Sequence, residues 1–246
     1  PILVNSINDS LLWIISKTSN MKYIESETYR ILTNSYVDIL STIIKLLGEK
    51  PMSEKHSSVR KHLLDDSTLV ETLTLITNYN WLIELLTMLN AKLNGTFDDQ
   101  LQQCKEKFDT ERNIYAYHLL QNSMPKLKGF IDGATRVDEN NTTSSVSVSQ
   151  WGAYSRQNLE IILNSYTSDD IHKLVKTLYN HMMEDITIQQ PEAIHISLKD
   201  KVWSTLQGQT VSLCLKLYTL VDKHYRDLQI RFNKNNIISS FEQYKV

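Results

Sequence analysis

The stretch that decides the fold is TLVETLTLITNYNWLIELLTMLNAKL, residues 68–93. It opens on Thr68-x-x-Glu71, a capping-box pattern that marks a helix start. Asn94-Gly95 follows it and supplies the left-handed conformation that ends many helices. Between these signals, apolar residues occur on nearly every side of the helix, and such a helix is usually buried on most sides. The stretch therefore predicts a central helix with other helices packed around it.

The composition favours the same fold class. The chain has 246 residues, of which 6 are Gly and 4 are Pro, about a third of average usage. β-Sandwiches, barrels and propellers need Gly- or Pro-rich turns at short intervals, and no GxGxxG or GxxxxGK[ST] phosphate loop occurs. With 41% hydrophobic residues the chain has enough apolar surface to form a core. We predict an all-α protein.

Apolar residues recur at helical spacing along most of the chain. Before the central helix, this pattern predicts helices over 6–19 and over 24–48, the second stopped by Gly48 and Pro51. After it, a helix capped by Thr96-x-x-Asp99 is expected to break at Pro125. Further helices are predicted over 154–166, 168–186 and 192–233, with a final short turn capped by Ser239-x-x-Glu242.

A polar segment interrupts this pattern. Residues 138–150 read DENNTTSSVSVSQ and show no apolar period, which is typical of a linker. We therefore predict a helical bundle over 1–135, a flexible linker over 136–150 and a C-terminal helical bundle over 151–246. Helices of this length with short connections pack antiparallel, so the expected architecture is an elongated rod of two consecutive antiparallel bundles.

Charge and cysteine content narrow the function classes. The 26 basic and 28 acidic residues give a net charge of −2, which does not indicate a nucleic-acid partner. Cys104 and Cys214 each lie in a helical apolar pattern, and we expect two buried free thiols in a reducing compartment. No segment is apolar enough for a membrane span. Because the chain starts at Pro1 rather than Met, we expect a fragment of a larger protein.

Catalytic and metal-binding motifs are incomplete. The pairs Asp65-Asp66, Asp98-Asp99 and Asp169-Asp170 lack the third carboxylate of a DDxxD magnesium site, and each lies at a predicted helix start, where carboxylates stabilise the helix dipole. Glu192-x-x-His195 is the single Glu-x-x-His motif, whereas di-iron bundles need two with further glutamates. We predict no catalytic residue, no cofactor and no metal.

Basic residues outnumber acidic ones from Lys199 to the C-terminus. Basic residues near a surface are attracted to anionic lipid and to acidic proteins. The sequence therefore suggests a basic tip that faces a membrane or a partner, although a solvated helix face is the simpler reading. Its members are Lys216, Lys223, Arg226, Arg231 and Lys234.

The region after the polar segment resembles a known family. Its pattern is Trp151…Tyr154-Ser155-Arg156-Gln157-x-Leu159-x-x-Ile162-Leu163-x-x-Tyr166, then Asp169-x-Ile171-x-Lys173-Leu174-Val175-x-x-Leu178-Tyr179, with Trp203 and Arg231-Phe232 further on. This order is similar to the C-terminal region of exocyst complex component 1, the Sec3-type subunit of the exocyst tethering complex. The resemblance covers mainly residues 150–235, and none of its positions is a catalytic motif.

The resemblance implies a CATCHR-like rod of stacked helical bundles. It also implies a non-enzymatic scaffold that binds other exocyst subunits during exocytosis and is cytoplasmic and peripheral at sites of polarised secretion on the plasma membrane. The family's lipid-binding module is a separate N-terminal domain that this sequence does not show. A helical module of another trafficking scaffold, such as a Golgi or endosomal tether, a coat or a nucleoporin, is the alternative.

Overall fold

The computed structural model describes residues 27–48, 66–93, 95–140, 147–189 and 195–245. All regular structure within these ranges is helical, as the sequence predicts. Two short 3-10 turns, Val148–Gln150 and Gly152–Tyr154, precede the fifth helix, and the helix predicted over 6–19 lies outside the described residues. The α-helices are α1 (Glu27–Gly48), α2 (Asp66–Lys92), α3 (Asp98–Ser123), α4 (Pro125–Asn140), α5 (Arg156–Leu163), α6 (Ser168–Gln189), α7 (His195–His224) and α8 (Lys234–Glu242).

The described chain forms two compact units. The first unit contains α1 and residues 74–111, and the second contains residues 66–73 and 112–245. The second unit begins inside α3 because side chains there bond to later helices: Arg112 Nη1 donates to the Lys201 carbonyl at 3.3 Å, and the Tyr115 hydroxyl donates to Asp185 Oδ2 at 2.7 Å. This division differs from the bundles predicted over 1–135 and 151–246.

The first unit is built around the apolar side chains of α2. Its core is formed by residues from α1, from α2, from the turn before α3 and from the first part of α3, and these side chains are almost fully buried. They include Leu40, Ile44, Ile76, Tyr79, Leu86, Leu89, Phe97, Cys104 and Phe108. The surface of α2 is apolar on several sides, and its deep burial in this unit agrees with the central position that the sequence predicts.

The turn from α2 to α3 depends on Gly95 and Asn90. Gly95 has a φ of 81°, the left-handed conformation predicted for it. Asn90 Oδ1 accepts from the Phe97 amide at 2.7 Å, and its Nδ2 donates to Asp98 Oδ1 at 2.8 Å. The predicted cap at Thr96 is wrong, because the Thr96 hydroxyl donates back to the Leu93 carbonyl at 2.6 Å. Asn90, rather than Thr96, accepts from the free Phe97 amide at the start of α3.

In the second unit, α8 packs against both α6 and α7, and α4 packs against α7. Aromatic rings fasten the C-terminal helix. The Trp203 and Phe241 rings lie 4.4 Å apart between centroids, and Tyr179 stacks on Tyr244 at 4.7 Å. Trp203 Nε1 also donates to the Phe241 carbonyl at 3.2 Å. Burial of aromatic rings with a satisfied indole N–H contributes strongly to a core, so α8 is part of this unit's core.

Helix α7 ends at His224 rather than at 233. Asp227 has a φ of 67°, which turns the chain away from the helix axis. Phe232 then enters the core. The next helix is capped by Asn233 and Asn236, whose side chains each accept from the other's backbone amide. The cap predicted at Ser239 is therefore wrong, and the Ser239 hydroxyl donates to the Asn236 carbonyl.

Other helix boundaries follow the predicted signals more closely. α3 ends at Ser123 and α4 begins at Pro125, so the predicted break is confirmed. α5 is capped by Ser155, whose hydroxyl accepts from the Asn158 amide at 3.4 Å. The capping box predicted at Thr68 is wrong in position, since α2 begins two residues earlier at Asp66.

The predicted linker is partly described. Its first residues complete α4, and its last residues form the 3-10 turn in which Val148 is buried. Burial of this valine anchors the chain directly before the resemblance region. Residues 141–146 lie outside the described residues, and a flexible linker stays a prediction. Over the ranges given above, none of the helices combines the length and apolarity that crossing a bilayer requires.

Candidate functional site

The five predicted basic residues lie around the C-terminal end of α7. Lys216 and Lys223 are two turns apart on α7, Arg226 and Arg231 lie on the connection to α8, and Lys234 is the first residue of α8. All five are exposed. The Tyr218 hydroxyl donates to the Phe232 carbonyl at 2.6 Å and holds this connection against α7. We call this set the α7 basic end.

One member of the α7 basic end is neutralised by a carboxylate from another helix. Lys223 Nζ lies 2.7 Å and 2.8 Å from the two carboxylate oxygens of Asp138, near the end of α4. His224 Nε2 is 2.9 Å from the same carboxylate. The hydrogen bond from Lys223, and after it those with His224, hold the pKa of Asp138 below its usual range, although partial burial acts in the opposite direction.

The His224 ring continues this network to the 3-10 turn. Its Nδ1 is 3.1 Å from the Ser147 hydroxyl, which is 2.9 Å from the Ser149 hydroxyl. With Nε2–H donating to Asp138, a neutral ring accepts from Ser147 at Nδ1. The order Ser, His, Asp is also that of hydrolase triads, but here the carboxylate is shared with Lys223 and the His224 side chain is 8% exposed. The arrangement fits a structural hydrogen-bond network that connects α4, the 3-10 turn at Val148–Gln150 and α7.

An open groove lies next to the α7 basic end. It has a volume of about 380 Å³ and is lined on one side by α7 and on the other by the connection, including Tyr218, Val221, Tyr225, Leu228 and Ile230. The Tyr225 hydroxyl donates to the Tyr154 carbonyl at 2.7 Å. Because both tyrosine hydroxyls bond to protein carbonyls, the rings are held in place and present fixed apolar walls.

Apolar and acidic side chains are mixed with the basic ones. Leu215 and Tyr218 are 49% and 36% exposed on α7, beside Lys216. Asp222 and Asp227 line the groove together with Arg226. The surface therefore combines apolar area with charges of both signs, which is typical of the rim and centre of a protein interface.

The aspartate pairs behave as the sequence predicts where they are described. Asp169 and Asp170 lie in the first turn of α6, and Asp170 accepts from the Thr167 amide at 3.0 Å and from the Thr167 hydroxyl at 2.7 Å. These hydrogen bonds lower the pKa of Asp170. Across the described residues, no group of three or more His, Cys, Asp or Glu is placed to hold a metal ion. Glu192 of the Glu-x-x-His motif lies outside them.

The sequence does not predict the network of Asp138, Ser147 and His224. Asp138 and Ser147 lie within the predicted linker, residues 136–150, and His224 lies in a polar stretch without any motif. Their contacts join positions far apart in the chain, and no local pattern marks such a pair. The one available signal is the position of His224 in the last turn of α7, where an imidazole is favoured by the helix dipole.

Comparison with known proteins identifies a family. The family model described as "Exocyst complex component Sec3, C-terminal" matches residues 1–227. No curated protein and no solved structure matches the chain. The matched range covers the whole first unit and extends through α7.

Proposed function

Because the chain belongs to the Sec3 C-terminal family of exocyst components, we propose that it is a non-enzymatic scaffold that binds other exocyst subunits during exocytosis. In this role it acts on the cytoplasmic side of the plasma membrane, as a peripheral part of the tethering complex at sites of polarised secretion. The family match is the observation that carries the proposal.

The surface proposed for subunit binding is the α7 basic end together with Leu215 and Tyr218. Tyrosine and arginine contribute strongly to protein interfaces when they are rigidly held, and the Tyr218 hydroxyl bond fixes its ring. The exposed Leu215 adds apolar area next to Lys216. A partner helix with apolar residues and acidic neighbours would match this surface in shape and charge.

A protein partner suits this surface better than a lipid surface. Each basic residue near an anionic membrane contributes about 1 kcal/mol, but Asp222 and Asp227 lie in the same groove as Arg226, and Lys223 is paired with Asp138. These carboxylates lower the net positive charge. Mixed charges instead fix the register of a protein interface.

The test compares two exposed apolar residues in the same unit. Leu215→Glu changes the proposed surface, whereas Ile161→Glu changes a side chain on α5 that is even more exposed, 60% against 49%. We expect exocyst subunits to co-purify with the tagged wild type and with Ile161→Glu, and to be lost with Leu215→Glu. Mass spectrometry of the purified complexes identifies the partners.

Two outcomes would contradict the proposal. Co-purification of a coat, nucleoporin or Golgi tether in place of exocyst subunits would overturn the exocyst assignment. Sedimentation of the protein with anionic liposomes, abolished by Lys216→Glu with Arg226→Glu and unchanged by Lys176→Glu on α6, would assign the α7 basic end to lipid. Negligible sedimentation on anionic and neutral liposomes alike is expected.

A further inference from the structure

The groove between α7 and the connection to α8 is preformed, because the connection is bonded to other helices at both of its ends. Just after the end of α7, Arg156 Nη1 donates to the Arg226 carbonyl at 2.9 Å. Shortly before α8, the Ser168 hydroxyl donates to the Arg231 carbonyl at 3.2 Å. A ligand therefore does not have to order the walls of this groove, which lowers the entropic cost of binding.

Between these two bonded points, the backbone of the connection has unused hydrogen-bonding groups. The Leu228 amide donates to the Tyr225 carbonyl at 3.1 Å. The amides of Gln229 and Ile230 and the carbonyls of residues 228–230 have no hydrogen-bond partner among the described residues. Leu228 and Ile230 line the groove, so these backbone groups belong to one of its walls. An extended chain segment can pair with such groups, as in peptide recognition by strand addition.

The charged side chains of the groove are unpaired. Asp222, Arg226 and Asp227 line it, and within the described part of the chain none of these side chains takes part in an ion pair or a hydrogen bond. Two carboxylates and one guanidinium leave the lining with one net negative charge. A basic ligand neutralises this charge, whereas an acidic ligand meets an excess of carboxylates.

The volume of the groove distinguishes an extended segment from a helix. A helix about 10–12 Å wide fills about 400–600 Å³ in each turn of its length. An extended chain, about 10 Å by 5 Å across and rising about 3.3 Å per residue, fills about 160 Å³ per residue. The groove measures about 380 Å³. It therefore holds about two extended residues but less than one turn of a helix.

We propose that this groove binds an extended segment of a partner protein in which an apolar residue is next to a lysine or an arginine. The apolar side chain packs against the two fixed tyrosine rings and Ile230. The basic side chain pairs with Asp222 and Asp227, and the backbone of the segment pairs with the free groups of residues 228–230. Apolar burial supplies affinity, and the charges select basic over acidic segments.

This site goes beyond the surface proposed for subunit binding. Leu215 and Lys216, which are central to that surface, do not line the groove. Lys216 lies about 160° round the helix from Tyr218, whose ring faces the groove. The two surfaces are thus adjacent sides of one helix, and the groove adds a second way of binding a partner.

The experiment uses the full chain and two synthetic tetrapeptides capped by acetyl and amide groups, Val-Leu-Lys-Val and its acidic counterpart Val-Leu-Glu-Val. Methyl NMR spectra follow each titration at low salt, because salt screens exposed charges. We expect the basic peptide to shift the methyl resonances of Val221, Leu228 and Ile230 until they saturate. It should bind about fivefold or more tightly than the acidic peptide.

Substitution of the two carboxylates tests the charge pairing. Asp222→Asn combined with Asp227→Asn is expected to weaken binding of the basic peptide about fivefold or more and to remove its advantage over the acidic peptide. Asparagine tolerates the φ of 67° at position 227. Asp200→Asn changes an exposed carboxylate near the start of α7. It is the matched control and should change neither affinity.

Three results would overturn the proposal. They are equal or tighter binding of the acidic peptide, saturable shifts confined to residues outside the groove, and no saturable shift up to about 10 mM peptide. Because the peptides carry no exocyst sequence, a failure here leaves the exocyst assignment standing. Failure of exocyst subunits to co-purify would, in turn, leave the peptide result standing.

Discussion

The contacts that stabilise the first unit internally differ in kind from those that stabilise the second unit internally. In the second unit, side chains donate to carbonyls of distant, non-helical or terminal segments: Tyr218 to Phe232, Trp203 to Phe241 and Tyr225 to Tyr154. In the first unit, the described contacts between helices are mainly apolar, with Gln100 Nε2 donating to the Ser41 hydroxyl at 3.2 Å. Directional bonds hold connections and helix ends, where backbone carbonyls lack some of their helical partners, whereas packed helices need mainly apolar area.

One core substitution in each unit tests this contrast, and these substitutions are expected to have the largest effect on stability. Trp203→Ala is expected to lower the free energy of unfolding by about 3–5 kcal/mol and Leu86→Ala by about 2–5 kcal/mol, since both side chains are almost fully buried.

Each unit contains one buried thiol, Cys214 in the second and Cys104 in the first. Burial raises the pKa of Cys104 to about 12 and that of Cys214 to about 11, so both react slowly until their unit opens.

The measurement is the rate at which a thiol reagent labels each cysteine. Trp203→Ala should accelerate labelling of Cys214 about 100-fold or more and that of Cys104 less, and Leu86→Ala should do the reverse. Trp203→Phe keeps a ring but loses the N–H bond to Phe241, so it should fall between wild type and Trp203→Ala. Equal acceleration of both thiols by either substitution would contradict two separate units.

A smaller effect on stability is expected from the hydrogen-bond network around Asp138 in the second unit. Asp138→Asn removes the charge that pairs with Lys223 and His224. It should cost about 1 kcal/mol at pH 7, because the lysine of this ion pair is largely exposed. Because the folded-state pKa of Asp138 lies below its ordinary 3.8, the carboxylate stabilises the fold above that pH and its contribution is lost as the pH falls further.

Urea unfolding at pH 7 and pH 3 checks this sign. The difference between wild type and Asp138→Asn should shrink at pH 3, because the carboxyl of the unfolded wild-type chain, with its ordinary pKa of 3.8, is then mostly protonated. Asp222→Asn, an exposed carboxylate on α7, is the matched control and should change stability by less than about 0.5 kcal/mol. A constant difference at both pH values would rule out the ion pair as the cause.

Substitution of one glycine in each unit is expected to change stability least. Gly208 lies inside α7 with open space around its Cβ position, so Gly208→Ala should stabilise the second unit by about 0.5–1 kcal/mol. Gly95 has a positive φ, and an added Cβ would lie 2.6 Å from Asp98 Oδ2. Gly95→Ala should therefore destabilise the first unit by about 1 kcal/mol or more. Thermal unfolding of both variants measures the opposite signs.

The sequence predicted the helices because apolar spacing and rare Gly and Pro are local properties. Helix breaks at Gly95 and Pro125 were predicted for the same reason. The end of α7 was not, because residues 225–233 carry neither Gly nor Pro. There the helix stops where tertiary contacts compete with it: Tyr225 and Tyr218 bond to carbonyls, and Phe232 enters the core.

The candidate site was predicted only in part, for a related reason. A local count of charges identified Lys216, Lys223, Arg226, Arg231 and Lys234, and all five are exposed at one end of α7. The neutralising Asp138 lies on α4 and is separated from Lys223 by most of the second unit's sequence. Charge patterning along a chain cannot identify a partner that only the fold brings close.

The contact between Trp203 and Phe241 has a consequence for evolution. Trp203 lies within residues 1–227, the part of the chain that the family model matches, whereas Phe241 lies beyond it. The two rings fill one space, so a smaller side chain at either position leaves a void that the other must fill. We therefore expect related sequences to change these two positions together, so that α8, which lies beyond the matched range, is constrained by the residues that it covers.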